Sequence, residues 1–208
     1  PLTPIRLGVQ HLLRAHRDRR VDFDRLLQVN ATRILREIDR LDEIARAFSR
    51  YGMVPREQGA AVGVEIAAVI GDAVELEQLG GGEVEWRFSS ADRVQVLARE
   101  AELREVLVNV LENARQAGAR RVDIELERDA DRVTVLVRDD GQGIPREQLS
   151  RIFEPRFSTK SSGSGLGLAI SRALISSWGG NIEVTSRPGG GTEVRIVLSI
   201  ARSTDRVS

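Results

Sequence analysis

Two asparagines stand four residues apart in the segment Asn109-Val110-Leu111-Glu112-Asn113-Ala114. A spacing of four places both side chains on one face of a helix. An asparagine carbonyl is a neutral oxygen ligand, and it suits Mg²⁺ that is held mainly by phosphate groups. Exposed asparagines on an ordinary helix are the plain alternative, but the apolar residues around these two favour amides that need polar partners.

A second candidate site follows an alternating apolar segment that ends at Val137, and it reads Asp139-Asp140-Gly141-Gln142-Gly143-Ile144-Pro145. A carboxylate at the end of a strand can accept a hydrogen bond from an amine such as the exocyclic group of adenine. Neighbouring glycines allow a flat ring to lie against the backbone. An ordinary acidic turn is the alternative, because Asp-Gly pairs often mark turns.

Two further motifs lie close together in a part of the chain that is rich in glycine. Ten of the 19 glycines fall between Gly141 and Gly191. The segment from Ile152 to Lys160 holds two of only eight aromatic residues, and Gly163-Ser164-Gly165-Leu166-Gly167-Leu168 opens a helical pattern. Free N–H groups at such a helix start bind phosphate. A Rossmann fingerprint lacks its preceding strand and its later acid here, and a Walker loop lacks its lysine.

Taken together, the motifs resemble the nucleotide-binding domain shared by gyrase, the Hsp90 chaperone, histidine kinases and MutL, and most closely its histidine kinase branch. The matching segments are Asn109–Asn113 for the N box, Asp140–Gly143 for the first glycine box, Phe153–Lys160 for the phenylalanine box, Gly163–Gly167 for the second glycine box and Gly189–Glu193 for the last glycine–threonine element. This resemblance covers roughly residues 64–200. Pro1 to Leu7 also resembles the end of the histidine box in nitrogen-regulation-type sensor kinases.

The resemblance implies ATP and Mg²⁺ as ligands, with Asn113 holding the metal and Asp140 reading adenine. The residues implied at the base pocket are Gly141, Gly143, Ile144 and Thr192. Those implied at the phosphates are Gly163, Ser164, Gly165, Leu166, Gly167 and Leu168, with backbone N–H groups of Gly165 to Leu168 forming the cradle. Residues 145–165 would form a mobile lid with Lys160 near its tip, and Lys160 is the only lysine beside 30 arginines.

Asn109 stands where the hydrolytic relatives that resemble gyrase place a glutamate general base. Because an asparagine cannot accept a proton from water near neutral pH, Asn109 favours phosphoryl transfer to a protein nucleophile over fast hydrolysis of ATP. Glu105 or Glu112 remains open as an alternative base. Gln116 stands where many family members carry a basic residue, and Arg115 is a candidate to replace it.

The function implied is the ATP-dependent protein histidine kinase core of a two-component signalling system, with a response regulator as partner. The phosphoaccepting histidine is expected about five residues before Pro1, so these 208 residues should bind ATP without autophosphorylating. His11 and His16 match no such motif and are expected to be surface or interface residues. A hydrolytic ATPase clamp of the same superfamily and a dimerising scaffold with a degenerate pocket are the alternatives.

Periodicity predicts an α+β fold that positions these motifs. Residues 1–53 are predicted to form a helical hairpin, residues 54–63 a linker, and residues 64–208 the catalytic ATP-binding domain as an α/β sandwich. Predicted helices cover 64–79, 103–117 and 166–178, and predicted strands cover 84–88, 122–126, 133–137, 182–185 and 193–200. A lone hairpin cannot bury both of its faces, so a homodimeric four-helix bundle is predicted, with packing on the same chain as the alternative.

Composition excludes several other classes of protein. The 31 basic and 31 acidic residues cancel, which argues against a nucleic-acid partner, although residues 1–53 carry a net charge of +4. The absence of cysteine excludes disulfides, thiolate metal sites and a cysteine nucleophile. Neither a signal peptide nor an apolar run of roughly 20 residues is recognisable, so a soluble, cytoplasmic segment without membrane contact is expected, and anchoring of the intact protein stays open.

Overall fold

The computed structural model describes residues 2–18, 22–35, 37, 60–80, 83–90, 93–158 and 165–201. These residues belong to two compact units. The first consists of two helices of the hairpin together with Ser158, Gly165 and Leu166, and the second consists of the described parts of 60–157 and 167–201. Among the described helices, none has both the length and the apolar character that crossing a bilayer requires.

The first unit contains helix α1, Leu2–Arg17, and helix α2, residues 23–35. The backbone N–H of Leu26 donates to the carbonyl of Asp22, where the sequence predicts the start of this second helix. Gly8 allows α1 and α2 to approach closely, because a Cβ at this position would lie 3.1 Å from the Ile34 side chain. The predicted continuation of the second helix through Ile38, Leu41, Ala45 and Phe48 lies outside the described residues.

The second unit is a five-stranded sheet covered by helices, with a smaller two-stranded sheet beside it. Its elements are β1 Val62–Glu65, α3 Ile66–Leu79, β2 Glu85–Phe88, β3 Gln95–Ala98, α4 Glu100–Gln116, β4 Arg121–Arg128, β5 Arg132–Asp139, α5 Arg146–Leu149, α6 Gly167–Ser177, β6 Asn181–Ser186 and β7 Thr192–Ser199. The large sheet has the order β2-β4-β5-β7-β6, and β1 pairs with β3. The β2–β4 pair is parallel and all other pairs are antiparallel. The predicted α+β class is therefore confirmed.

The structure differs from the prediction at the start of this unit. The helix expected from Val64 begins at Ile66, because Val62–Glu65 forms an antiparallel pair with Gln95–Ala98. Strand β3 was not predicted, although the buried Val94, Val96 and Ala98 alternate with more exposed residues as a strand requires. The short helix α5 was also not predicted, and its four residues are too few to show helical periodicity.

Alternation along β5 separates the two faces of the large sheet. Val133, Val135 and Val137 are buried in the core that the helices cover. On the opposite face, Arg138 forms ion pairs with Glu125 at 2.8 Å and Glu193 at 2.7 Å. Because successive side chains of a strand point to opposite faces, the residue that follows Arg138 lies on the helix-covered side.

Candidate functional site

Helix α4 carries its two asparagines along one edge of its buried face. Leu103, Val106, Leu107, Val110, Leu111 and Ala114 recur at helical spacing and are all buried. Asn109 and Asn113 flank this stripe and are half-buried. The Nδ2 atom of Asn109 donates to the Ser171 hydroxyl at 3.0 Å, and Nδ2 of Asn113 faces Oδ1 of Asn109 at 3.5 Å. The predicted pairing of the two amides on one helical face is thus present in the fold.

Helix α6 approaches this asparagine pair through Gly167, its first residue. A Cβ at Gly167 would overlap Oδ1 of Asn109 and would lie 2.9 Å from its Cγ. Only glycine therefore allows α6 to begin so close to α4. Leu168 follows within α6 and is half-buried. Gly165 has a φ of +66° and, with the buried Leu166, belongs to the first unit.

The two adjacent aspartates at the end of β5 have different environments. Asp139 continues the helix-facing side of the strand, and its Oδ1 accepts the backbone N–H of Gly141 at 2.9 Å. Burial raises the pKa of the Asp139 carboxyl, and hydrogen bonds from the N–H groups of Gly141 and Thr192 partly offset that rise. This half-buried carboxylate lies beside Thr192, its register partner on β7.

Asp140 instead closes a backbone turn at the surface. Its exposed carboxylate oxygen accepts the N–H groups of Arg120 at 2.7 Å and Arg121 at 2.9 Å. These two N–H groups, with that of Arg121 contributing most, hold the pKa of Asp140 below its ordinary value. The Asp139 carboxylate therefore lies on the helix-covered side of the sheet, whereas the predicted Asp140 binds the backbone of a surface turn. Counting the alternation onward from Val133, Val135 and Val137 would have singled out Asp139 from the sequence.

The loop after β5 packs backbone to backbone against the turn between β6 and β7. Gly143 has a φ of +71°, and a Cβ there would overlap the carbonyl oxygen of Arg187. Gly191 has a φ of +78°, and a Cβ there would overlap the carbonyl oxygen of Asp139. These contacts leave no space for larger residues. They bring the first glycine box and the last glycine–threonine element together.

A serine completes this packing around the base-pocket residues. The hydroxyl of Ser186 donates to the Gly191 carbonyl at 2.7 Å, accepts the N–H of Ile144 at 2.8 Å and lies 3.0 Å from the Thr192 hydroxyl. Gly141 is buried beside Ala117, the residue that follows α4. Gly141, Gly143, Ile144 and Thr192 thus lie together around the end of β5.

Polar and charged side chains near the two asparagines on α4 form contacts within the protein. Gln116 donates to the Glu112 carboxylate at 2.7 Å, and Glu112 also faces Arg115 at 3.7 Å. Arg115 places its Nε 2.8 Å from Glu77 on α3, so it does not turn toward the asparagine side of α4 as a substitute for a basic residue. Glu105 is half-buried one helical turn before Asn109.

The phenylalanine box is anchored by arginines at its described end. The Arg172 guanidinium of α6 lies 4.8 Å from the Phe153 ring centroid, and that of Arg151 lies 4.5 Å from the Phe157 ring centroid. Arg156, between them, has a φ of +67°, which is uncommon for a residue other than glycine. The predicted lid and phosphate-loop residues Lys160, Gly163 and Ser164 lie outside the described residues.

Ser171 is the second site residue that the sequence prediction missed. It is only 2% exposed on α6, although the residue that follows it, Arg172, is exposed. Because Ser171 follows Gly167 by four residues, the sequence indicates that the two lie on the same face of α6. No sequence pattern identifies Asn109 of α4 as the hydrogen-bond partner of Ser171.

Comparison with known proteins identifies a family model and several relatives that this chain matches. Residues 98–202 match the family model described as histidine kinase-, DNA gyrase B-, and HSP90-like ATPase. The chain is 31% identical to the signal transduction histidine-protein kinase AtoS of Escherichia coli (strain K12) over 96% of its own length and 33% of that protein. It is 28% identical to the nitrogen regulation protein NtrY of Azorhizobium caulinodans, over 95% of its own length and 27% of that protein.

Among solved structures, full-length ShkA in complex with AMPPNP is similar to this chain with a TM-score of 0.67 and 28% identity. The similarity covers 89% of this chain and 40% of the ShkA chain. The chain therefore spans about a third or less of the two sequence relatives named above, and less than half of this structural one.

Proposed function

The chain belongs to the family of histidine kinase-, DNA gyrase B- and HSP90-like ATPases, and on that premise we propose that it is the ATP-dependent histidine kinase core of a two-component sensor. The proposed reaction transfers the γ-phosphoryl group of ATP to a histidine of the intact protein and then to an aspartate of a response regulator. Because ATP is the phosphoryl donor, the proposed place of action is the cytoplasm.

Asp139 supports ATP as the ligand, in the role that the sequence prediction gave to Asp140. Its carboxylate lies on the helix-facing side of the sheet and keeps acceptor capacity beyond the two backbone N–H groups that it already binds. An amine of a base could donate to this oxygen while the ring lies against Gly141 and Gly143. Asp140 would serve the turn and not the ligand, since it closes the backbone of Arg120 and Arg121.

The residues present fit a magnesium ion that is carried by the nucleotide. The described residues include no group of three or more histidine and acidic side chains that could hold a metal alone. Asn113 offers one neutral amide oxygen, which suits an ion whose other ligands are phosphate and water oxygens. When bound, Mg²⁺ would neutralise charge on the transferred phosphoryl group. Asn113 is accordingly the residue proposed to hold it.

One observation favours phosphoryl transfer over hydrolysis of ATP: a neutral amide, that of Asn109, lies at this position and is hydrogen-bonded within the protein. Its amide nitrogen donates to Ser171, and its oxygen faces the amide of Asn113. Neither atom of a neutral amide can take a proton from water. A histidine nucleophile needs no such base, so the residue types at this position suit transfer to histidine better than attack by water.

The hairpin supports a homodimer. Large apolar side chains are exposed on both helices of the single chain: Leu7, Val9 and Leu13 on α1, and Leu27, Val29 and Leu35 on α2. Pairing two hairpins into a four-helix bundle would remove much of this apolar surface from water.

The kinase proposal is tested by incubating the full-length protein with γ-labelled ATP and Mg²⁺. Label on the protein that is lost in acid, as phosphohistidine requires, and that moves to a response regulator is the expected result. Steady release of free phosphate without labelled protein would instead support the hydrolytic clamp. No binding of ATP at millimolar concentration would support the degenerate scaffold.

The base-reading role is tested with the matched pair Asp139→Asn and Asp140→Asn, measured by calorimetric titration of ATP. Asp139→Asn should weaken ATP binding at least tenfold, because an amide replaces the charged acceptor. Asp140→Asn should change it less than about twofold. The reverse order of effects would return the role to Asp140.

A further inference from the structure

We infer that Ser171 is a positioning residue for magnesium binding, acting through Asn109 on the amide of Asn113. This inference rests on the proposed function, because it concerns the residue proposed there to hold Mg²⁺. Ser171 lies on α6, whereas both asparagines lie on α4. The hydroxyl thus connects the helix that begins with the second glycine box to the helix that carries the proposed metal ligand.

The Ser171 side chain is buried on α6. Ser171 is 2% exposed and is one of few polar side chains that are buried among the described residues. A buried hydroxyl without a hydrogen-bond partner is unfavourable, so its contact with Asn109 is expected to persist. The distance from Nδ2 of Asn109 to Oγ of Ser171 is 3.0 Å, which is an ordinary hydrogen bond.

The hydrogen bonds of Asn109 and Asn113 have a defined direction. An amide nitrogen can only donate and an amide oxygen can only accept. The nitrogen of Asn109 donates to the Ser171 hydroxyl, and the oxygen of Asn109 faces Asn113, whose Nδ2 lies 3.5 Å away. An Asn113 amide that directs its nitrogen toward Asn109 presents its carbonyl oxygen on the other side of the group. That oxygen is the atom that a magnesium ion requires.

The Asn109 side chain has no space for another arrangement. Gly167 begins α6 directly against Asn109, and even a Cβ there would overlap Oδ1 of that residue. The amide of Asn109 is therefore confined between Gly167 and Ser171, one helical turn apart on α6. Loss of the Ser171 hydroxyl would leave Asn109 without the hydrogen bond that holds its amide in place beside Asn113.

The experiment measures ATP affinity by calorimetry twice for each protein, once with excess Mg²⁺ and once with EDTA. The ratio of the two affinities reports magnesium binding separately from nucleotide binding. Ser171→Ala should lower this ratio about five- to tenfold, the size expected for one buried hydrogen bond, with the EDTA affinity unchanged within about twofold. Ser177→Ala is the matched control, because Ser177 lies on the same helix and donates only to the Leu174 carbonyl at the surface. Its ratio should equal that of the wild type.

A double-mutant cycle with Asn109→Ala separates positioning from simple packing. If Ser171 acts through Asn109, Ser171→Ala should change the ratio much less when Asn109 is already alanine. Equal loss of affinity with Mg²⁺ and with EDTA, or the same loss in both backgrounds, would overturn the inference. A wild-type ratio of one would contradict the proposed magnesium site itself, so the two failures can be told apart.

Discussion

The two flanks of helix α4 are held by different chemistry, although they belong to the same 17 residues. The flank that faces α3 is held by ion pairs between arginines and acids: Arg115 with Glu77 at 2.8 Å and Arg104 with Asp72 at 2.7 Å. The flank that faces α6 is held by neutral amides and one hydroxyl, those of Asn109, Asn113 and Ser171.

The difference indicates which flank is prepared for a charged ligand. The two opposite charges of each ion pair on the α3 flank neutralise each other. These pairs therefore connect α3 and α4 and leave little net charge to bind a ligand. Neutral amides on the α6 flank carry no charge of their own to be neutralised, so an amide oxygen there can bind a cation at little electrostatic cost. Stability and ligand binding should therefore respond separately to substitutions on the two flanks.

The largest effect is expected from Asn113→Ala on the α6 flank. Removal of the proposed metal ligand should lower phosphoryl transfer in the full-length protein at least ~100-fold, because transfer depends on charge neutralisation. The unfolding free energy should change much less than with the Glu77 substitution below. Transfer is measured with γ-labelled ATP and unfolding with urea. Transfer within about threefold of the wild type would contradict the assignment of this flank to the metal.

Glu77→Ala should give the opposite result on the α3 flank. Glu77 is 7% exposed, and its removal leaves Arg115, which is about one-third exposed, without its nearest partner. We expect a loss of about 1–2 kcal/mol in unfolding free energy, limited by water and Glu112 beside Arg115, and no change in the magnesium-dependent ratio of ATP affinities. Glu75→Ala, on the same helix but exposed, is the control and should be nearly neutral.

Asp139→Asn should bind ATP weakly yet be more stable than the wild type at neutral pH. Burial raises the pKa of this carboxyl in the folded state, so wild-type stability falls as pH rises from about 3.9, the ordinary aspartate value, through the raised folded value. An asparagine amide at this position does not titrate, so the variant does not lose this stability as pH rises. Because the group is only half-buried, the gain should stay below about 1 kcal/mol.

The sign of this effect can be checked with urea unfolding at several pH values. The advantage of Asp139→Asn should be largest at pH 7 and should shrink toward pH 3. An advantage that grows on acidification would show that the Asp139 carboxylate stabilises the fold. Asp139 would then contribute to stability, as the ion pairs on the α3 flank do.

The smallest effect is expected for Arg104→Gln. The ion pairs of Arg104 with Asp72 and Glu100 raise the pKa of its guanidinium but lie at the surface. Exposed pairs contribute little, so the loss should be under about 0.5 kcal/mol and should vanish in high salt. A loss as large as that of Glu77→Ala would mean that burial does not rank the pairs on this flank.

Much of the fold could be predicted from periodicity alone. The spacing of apolar residues in α4 and the alternation in β4, β5 and β7 predicted helices and strands that the structure contains. Strand β1 was divided in the prediction between the end of the linker, residues 62–63, and the start of a helix, residues 64–65, because four residues carry too little periodicity to identify a strand. Its strand conformation depends on pairing with β3, about 30 residues later in the chain.

The candidate site was predicted unevenly for the same physical reason. Spacing along one helix identified Asn109 and Asn113, and glycine content identified the loops that approach other backbone. The choice between Asp139 and Asp140 required the alternation of β5 to be continued past Val137, its predicted end, which places Asp139 on the side of the buried Val133, Val135 and Val137. Only the structure shows that the helices cover that side, because burial of the whole sheet decides it.

The sequence by itself determined which residue types are available and which of them share a helix or a loop, because local spacing controls those relations. Only the tertiary structure decided their partners: Ser171 for Asn109, 62 residues away, and Glu77 for Arg115, 38 residues away. Such contacts depend on how packed helices face each other, and the free energy of burying the whole core selects that arrangement. The two flanks of α4 therefore acquire their different contacts only when α3 and α6 are in place.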